Sequence, residues 1–455
     1  MDGAAQQDTE RWRGRIVAIY LFGALLLGGG GTPNPETEMA LQLLAVAALT
    51  GWIFAAPRWY AEMPRAAIAL AGIVLLLPLL QLMPLPPELW QAMPGRERVE
   101  DVLALKNADQ SWLAWTVSPP RTLASFVAII PPVLLMLATS TLTRNSVPVL
   151  LGAIVAAALL GALLGAAQLA GGHGAFRIYA ETHDEWVTGF FANRNASVDL
   201  FLVGGMAIAA LYAYVERTIP RSVFMAGAGV LALAALLTGS RAGIALIPVA
   251  CIAVWLMLRI DNGQGAINRR RVGWYGLAAV FAASLLALRA TGSNRLASIG
   301  ARFASDDIGR ADIWRDTWTA IAAHWPWGSG IGTFAMAVLP HERLDALDPS
   351  LPNRAHSELL EFFLEAGIFA PLILAAIGTI LVRSALRAWQ CPAERDVIIF
   401  ASATLLLMTL HGLVDYPFRT MALSSLAGVA AGLLLRSARG PQDESKTHAR
   451  SEEIG

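Results

Sequence analysis

Apolar and polar residues do not alternate along this chain; they are gathered into long blocks. Twelve apolar blocks stand near 15–31, 39–56, 66–83, 122–141, 147–170, 196–215, 222–238, 242–260, 273–290, 358–382, 396–414 and 420–436. Each reaches or approaches the roughly 20 residues that carry a helix across the hydrocarbon of a bilayer. The two-residue alternation of a membrane barrel strand is absent. The breaks are mostly short and carry Pro, Gly or charge. The pattern predicts an all-α polytopic membrane protein of about twelve transmembrane helices. The first block follows "RWRGR" like the start of a signal peptide. It lacks a small-residue cleavage site and is followed by many more blocks, so it is read as the first helix.

Composition agrees. Of 455 residues, 56% are hydrophobic and 15% charged, and the mean hydropathy is +0.53. That excludes an ordinary water-soluble domain. The net charge of zero gives no sign of nucleic-acid binding. Where the basic residues fall is more informative. With the N-terminus inside, the inner loops and tails hold nineteen Lys and Arg, against eight outside when the long ninth loop is set aside. This bias predicts both termini on the cytoplasmic side. Cys251 falls within a helix and Cys391 in an inner loop, so a disulfide is not expected. Trp59, Trp90, Trp112 and Trp115 at block edges suit an interfacial belt.

On this topology two outer segments are long, 84–121 and 291–357. The chain divides into helices one to nine over 1–290, a large outer loop over 291–357, helices ten to twelve over 358–436, and a polar tail over 437–455 expected to be disordered.

The large loop carries the richest chemistry. Ile313, Trp314, Trp318, Ile321 and Trp325 recur at helical spacing. Asp306 or Asp307 is a candidate cap, and Pro326 ends the segment. The pattern suits a helix lying flat on the membrane surface. "GSGIGTF" (328–334) invites comparison with a phosphate cradle. It lacks the Lys-Ser/Thr of a P-loop and is read as a flexible turn.

Arg194 in "FFANRNAS" and Arg241 in "LLTGSRAG" stand at outer helix ends. An arginine at membrane depth is costly and usually faces a cavity or a partner. With Arg310 and Arg315 from the loop helix, they form a candidate anion clamp, with Asn193 in support. Guanidinium forks suit phosphate oxygens, each charge-assisted bond adding about 1.5–3 kcal/mol. The competing reading is that they snorkel, or pair with Asp184, Glu185 or Asp199. His356 lies at the start of the tenth block and is a candidate general base. Glu358 is expected to orient its ring or to pair with Arg354. Metal ligation is not expected, because "HSELLE" lacks the His-Glu-x-x-His spacing.

"GRADIWRDTWTAIAAHWPWGSGIGTF", followed after about twenty residues by "NRAHSELLEFFLEAGIF", resembles the O-antigen ligase and polymerase superfamily. "QLMPLPPELW", "FFANRNAS" and "LTGSRAG" extend the likeness over most of the chain. Ser357 departs from the pattern, standing where asparagine is common. The resemblance implies a metal-independent, inverting glycosyltransferase of the GT-C type in the bacterial inner membrane, with no cofactor and its active face periplasmic. The donor would be a glycan on undecaprenyl pyrophosphate. Arg194 and Arg241 would bind the pyrophosphate, Arg310 would match the loop arginine, and His356 would deprotonate the acceptor hydroxyl. The acceptor would be lipid A-core for a ligase or a growing polysaccharide for a polymerase; membrane lipids surround either. A lipid-linked oligosaccharide flippase is the alternative from another class. It would spread its charges along a central path, whereas here they gather at one end.

Overall fold

The computed structural model describes residues 3–30, 35–55, 63–172, 174–180, 182–183, 185–214, 220–259, 308–343 and 353–438. It is mostly helical. The helices are α1 (Gly3–Leu27), α2 (Pro35–Ala55), α3 (Arg65–Gln81), α4 (Pro87–Trp90), α5 (Glu97–Ala104), α6 (Pro119–Thr141), α7 (Val147–Gly171) and α8 (Arg194–Tyr214). They continue with α9 (Arg221–Leu237), α10 (Arg241–Arg259), α11 (Ile308–His324), α12 (Phe334–Val338), α13 (Glu358–Ala366), α14 (Phe369–Ala388), α15 (Arg395–His411) and α16 (Met421–Ser437). One short antiparallel pair, β1 (Pro84–Leu85) with β2 (Leu113–Ala114), ties together the ends of the first outer segment.

Among the described residues, six helices are long and apolar enough to cross a membrane: Glu36–Phe54, Pro119–Thr141, Arg144–Gly171, Arg194–Tyr214, Arg241–Arg259 and Phe369–Ala388. Arg65–Gln81, Ser222–Leu237 and Met421–Ser437 are shorter apolar helices. The expected ninth block at 273–290, the cap residues Asp306 and Asp307, and the tail from 439 onward lie outside the described residues.

Helix α8 is the axis of the bundle: 78% of its apolar window is buried against protein, against 11% for α14 at the periphery. α16 packs closely on α6 through Gly428 and Gly432. A Cβ at Gly428 would stand 2.4 Å from the Pro132 carbonyl oxygen. Small residues permit such approach where lipid tails supply no hydrophobic drive between helices.

The bundle has two chemically distinct ends. At one, Arg13 donates to Glu10 and Thr141, Arg144 donates to the Tyr214 hydroxyl, and Arg436 pairs with Glu394. At the other, Ala422 N–H donates to Gly28 O at 3.1 Å and Ala192 N–H to Gly29 O at 3.0 Å, and Glu358 N–H bonds to Gly412 O. The entry to α8, the start of α13 and the 412–420 turn therefore share this end.

Two expectations are corrected. The block at 358–382 is not one span but two helices, because Gly367 takes φ +55 and a Cβ there would stand 2.0 Å from the Pro326 carbonyl oxygen. α13 carries Glu358, Glu361 and Glu365 into protein, and α14 is the part long and apolar enough to cross a membrane. Nor is the apolar stripe of α11 left free along its whole length to lie on a membrane. Ile313, Ala320 and Ile321 pack against Phe334, Ala337, Val338, Ala355 and Leu364 in a small core of their own. Only Trp318 and Trp325 of its aromatic stripe remain exposed.

Candidate active site

His356 stands in the left-handed backbone region at φ +50, which a non-glycine residue adopts only where its surroundings fix it. Those surroundings are dense. Trp314 Nε1 donates to Ala355 O at 2.9 Å, and Ala355 N–H donates to Glu361 Oε2 at 3.2 Å. Glu358 N–H donates to Gly412 O at 2.7 Å and to Asp415 O at 3.1 Å. Ser357 caps α13 by accepting from Leu360 N–H. Ser357 thus has a structural task of its own.

The His356 ring lies beside Tyr416, with centroids 5.1 Å apart. Its Nδ1 is 3.8 Å from Asp415 Oδ1 and the side chain is 29% exposed, which leaves Nε2 as the nitrogen for an incoming hydroxyl. Asp415 is buried, accepts from its own Tyr416 N–H at 2.9 Å, and accepts from Asn195 Nδ2. Burial raises the Asp415 carboxyl, but the facing His356 and His411 rings and Asn195 outweigh it and hold it below the usual carboxylate range. The expectation that Glu358 orients His356 or pairs with Arg354 is corrected. Glu358 faces Arg419 at 3.3 Å, and Arg354 pairs with Glu361 at 2.8 Å.

The predicted cations divide. Arg194 opens α8, is 8% exposed, and lies over the Trp186 ring at 4.8 Å. Its neighbours run along the Asp415 turn: Asn193 Oδ1 accepts from Asn195 N–H, and Asn193 Nδ2 donates to the Tyr416 hydroxyl at 3.5 Å. Asp199, a competing partner for Arg194, is instead held by His411 at 2.7 Å; Asp184 lies outside the described residues. Arg241 opens α10. The turn before it presses Gly239, at φ +59, against the Trp186 ring, and Val187 N–H donates to Leu237 O. Trp186 therefore lies between the Arg194 guanidinium and the turn that leads to Arg241. Arg310 reaches the same end, its Nη1 donating to Val414 O at 3.1 Å. Arg315 is not brought there in any described contact; it is exposed and pairs with Asp312 at 3.6 Å.

A buried ionic lattice braces the site from behind. Arg419 meets Glu358 at 3.3 Å, Glu361 at 3.3 Å and Glu365 at 2.9 Å. Desolvation pushes Glu358 up to about 7 against the pull of Arg419. For Glu361, Arg419 and Arg354 together overcome desolvation and leave it below its ordinary value. The glycine turn is part of this lattice and is not the flexible link expected. Ser329 N–H bonds to Leu364 O and Gly330 N–H to Glu365 O, Ile331 N–H bonds to Gln81 Oε1, and Phe334 N–H bonds to the Glu365 carboxylate. Its amides are taken up within the protein, by the Leu364 and Glu365 carbonyl oxygens, the Gln81 side chain and the Glu365 carboxylate.

Asp415, Tyr416, Arg419, His411 and Trp186 were not singled out from the sequence. The signal for most of them was "HGLVDYPFRT" (411–420), a short turn between two apolar blocks with four ionisable side chains in ten residues.

A multi-pass helical membrane protein with a polar, histidine-bearing cluster at one end of its bundle is the class these features define. Residues 226–375, about a third of the chain, match the family model described as O-antigen ligase. The match takes in Arg241, Arg310 and His356, and ends before Asp415 and Arg419. No curated protein matches the chain.

Proposed function

We propose that this protein transfers a glycan from undecaprenyl pyrophosphate to an acceptor hydroxyl, as an O-antigen ligase does with lipid A-core, at the periplasmic face of the inner membrane with both termini cytoplasmic. The observation that carries the reading is the approach of His356 to the buried Asp415, on a turn bonded to Asn195 beside Arg194.

Asp415 fixes the ring so that His356 Nε2 takes the proton of the acceptor hydroxyl. The hydroxyl oxygen attacks the anomeric carbon from the side opposite the pyrophosphate, and the configuration inverts. The departing pyrophosphate needs charge stabilisation more than a proton, which Arg194, Arg241 and Arg310 supply. Arginine forks take the place that a divalent ion holds in other phosphoryl sites. The polyprenyl tail stays in lipid beside the apolar helices, so the donor is never extracted.

The test uses purified protein with undecaprenyl-linked donor. His356→Ala is expected to bind donor and fail to transfer; full transfer sinks the base assignment. Arg194→Ala and Arg241→Ala are expected to weaken donor binding, and unchanged binding counts against the clamp. Transfer is expected to persist in EDTA; loss restored by a divalent ion reverses the metal-free mechanism. The acceptor is read from a strain lacking the gene: core without any repeat unit indicates a ligase, and core bearing a single unit a polymerase.

A further inference from the structure

One buried ionisable pair lies directly behind the site and takes no part in the chemistry above. Asp199, in the second turn of α8, and His411, the last residue of α15, have side chains 0% and 1% exposed. His411 Nδ1 lies 2.7 and 2.8 Å from the two Asp199 oxygens. Its Nε2 is buried without a hydrogen-bond partner and lies 4.0 Å from Asp415 Oδ2. The other Asp415 oxygen is 3.8 Å from His356 Nδ1, which is also without a hydrogen bond. Four side chains, from α8, the end of α15, the turn after it and the segment before α13, thus stand in line: Asp199, His411, Asp415, His356.

Both ring nitrogens of His411 face carboxylates, which suits a ring carrying a proton on each. An uncharged ring between two buried carboxylates would leave a buried charge without compensation, an arrangement proteins avoid. The line then reads anion, cation, anion, and ends on the imidazole that faces the substrate side. We propose that His411 and Asp199 are positioning residues for His356: the His411 ring, held by Asp199, balances the inner side of Asp415 and sets how strongly that carboxylate acts on His356. The role of His356 in transfer rests on the reading above; its coupling to His411 does not.

The other charged groups around the turn are Arg194 at the start of α8, Arg310 on α11, Arg354, Glu358 and Glu361 around α13, and Arg419. None of these is altered in the variants below. The experiment compares full-length wild type with His411→Gln, and with the double variant Asp199→Asn/His411→Gln, which leaves no lone buried carboxylate if the single variant misfolds. The first readout is the rate at which diethyl pyrocarbonate modifies His356 at pH 6.5, followed by peptide mass spectrometry. With the inner positive neighbour gone, Asp415 holds the His356 proton harder, and the rate falls about fivefold. The second is the pH profile of kcat/KM, whose acid limb moves to higher pH while donor affinity stays unchanged. An unchanged modification rate in a folded variant overturns the proposal and leaves the pair as packing between helices. A slowed rate in a protein whose wild type transfers no glycan sustains the coupling and removes the transfer reading instead.

Discussion

Glu358 offers a test in which removing a charge strengthens the protein. Its carboxyl is raised from 4.5 to about 7, chiefly by desolvation and despite Arg419. A carboxyl whose folded value lies above its unfolded one favours the folded state fully at pH below the unfolded value. That contribution is lost as pH rises through the folded value. Wild-type stability should therefore decline between pH 4.5 and about 7 on account of this group. The span of the shift at about 1.4 kcal/mol per pH unit gives a ceiling of about 3 kcal/mol. Its side chain is 17% exposed, and solvent screening lowers the expected effect to about 2 kcal/mol. Glu358→Gln keeps the shape and an acceptor for Arg419 Nε but cannot ionise. In nanodiscs, followed by tryptophan fluorescence, it should melt with wild type at pH 5 and a few degrees above it at pH 8. Melting curves that run parallel from pH 5 to pH 8 would show that Glu358 is not destabilised by its burial.

Three further outcomes are expected. Arg419→Met removes the cation shared by Glu358, Glu361 and Glu365 and should cost about 3–5 kcal/mol, seen as a large drop in melting temperature at pH 8; a drop within error would mean the lattice contributes nothing. Asp415→Asn leaves the turn's size intact but weakens the partner of His356; transfer should fall about 10–100-fold with donor binding retained, and undiminished transfer speaks against the dyad. Trp186→Ala removes the ring beneath Arg194 and should weaken donor binding several-fold, on the order of 1 kcal/mol, as measured by titration with donor; equal affinity would detach Trp186 from the clamp.

The order of apolar blocks, by itself, determined that this chain is a helical membrane protein, because block length and the absence of alternation answer directly to bilayer thickness and backbone hydrogen bonding. The basic bias of its loops put Arg194, Arg241 and His356 on one expected side, and motif order pointed to the family whose model matches residues 226–375. Sequence spacing reports which residues share a helical turn, so Glu358 was the natural neighbour to assign to His356. Tertiary structure decided otherwise. The partner of His356 is Asp415, 59 positions away. Arg419 collects the three carboxylates of α13 from the next turn of chain but one, and Asn195 meets Asp415 across 220 positions. The tenth apolar block broke at Gly367, where the backbone turns at positive φ against Pro326; this contact, like the cations and amides that buried carboxylates need, is set only when the helices pack.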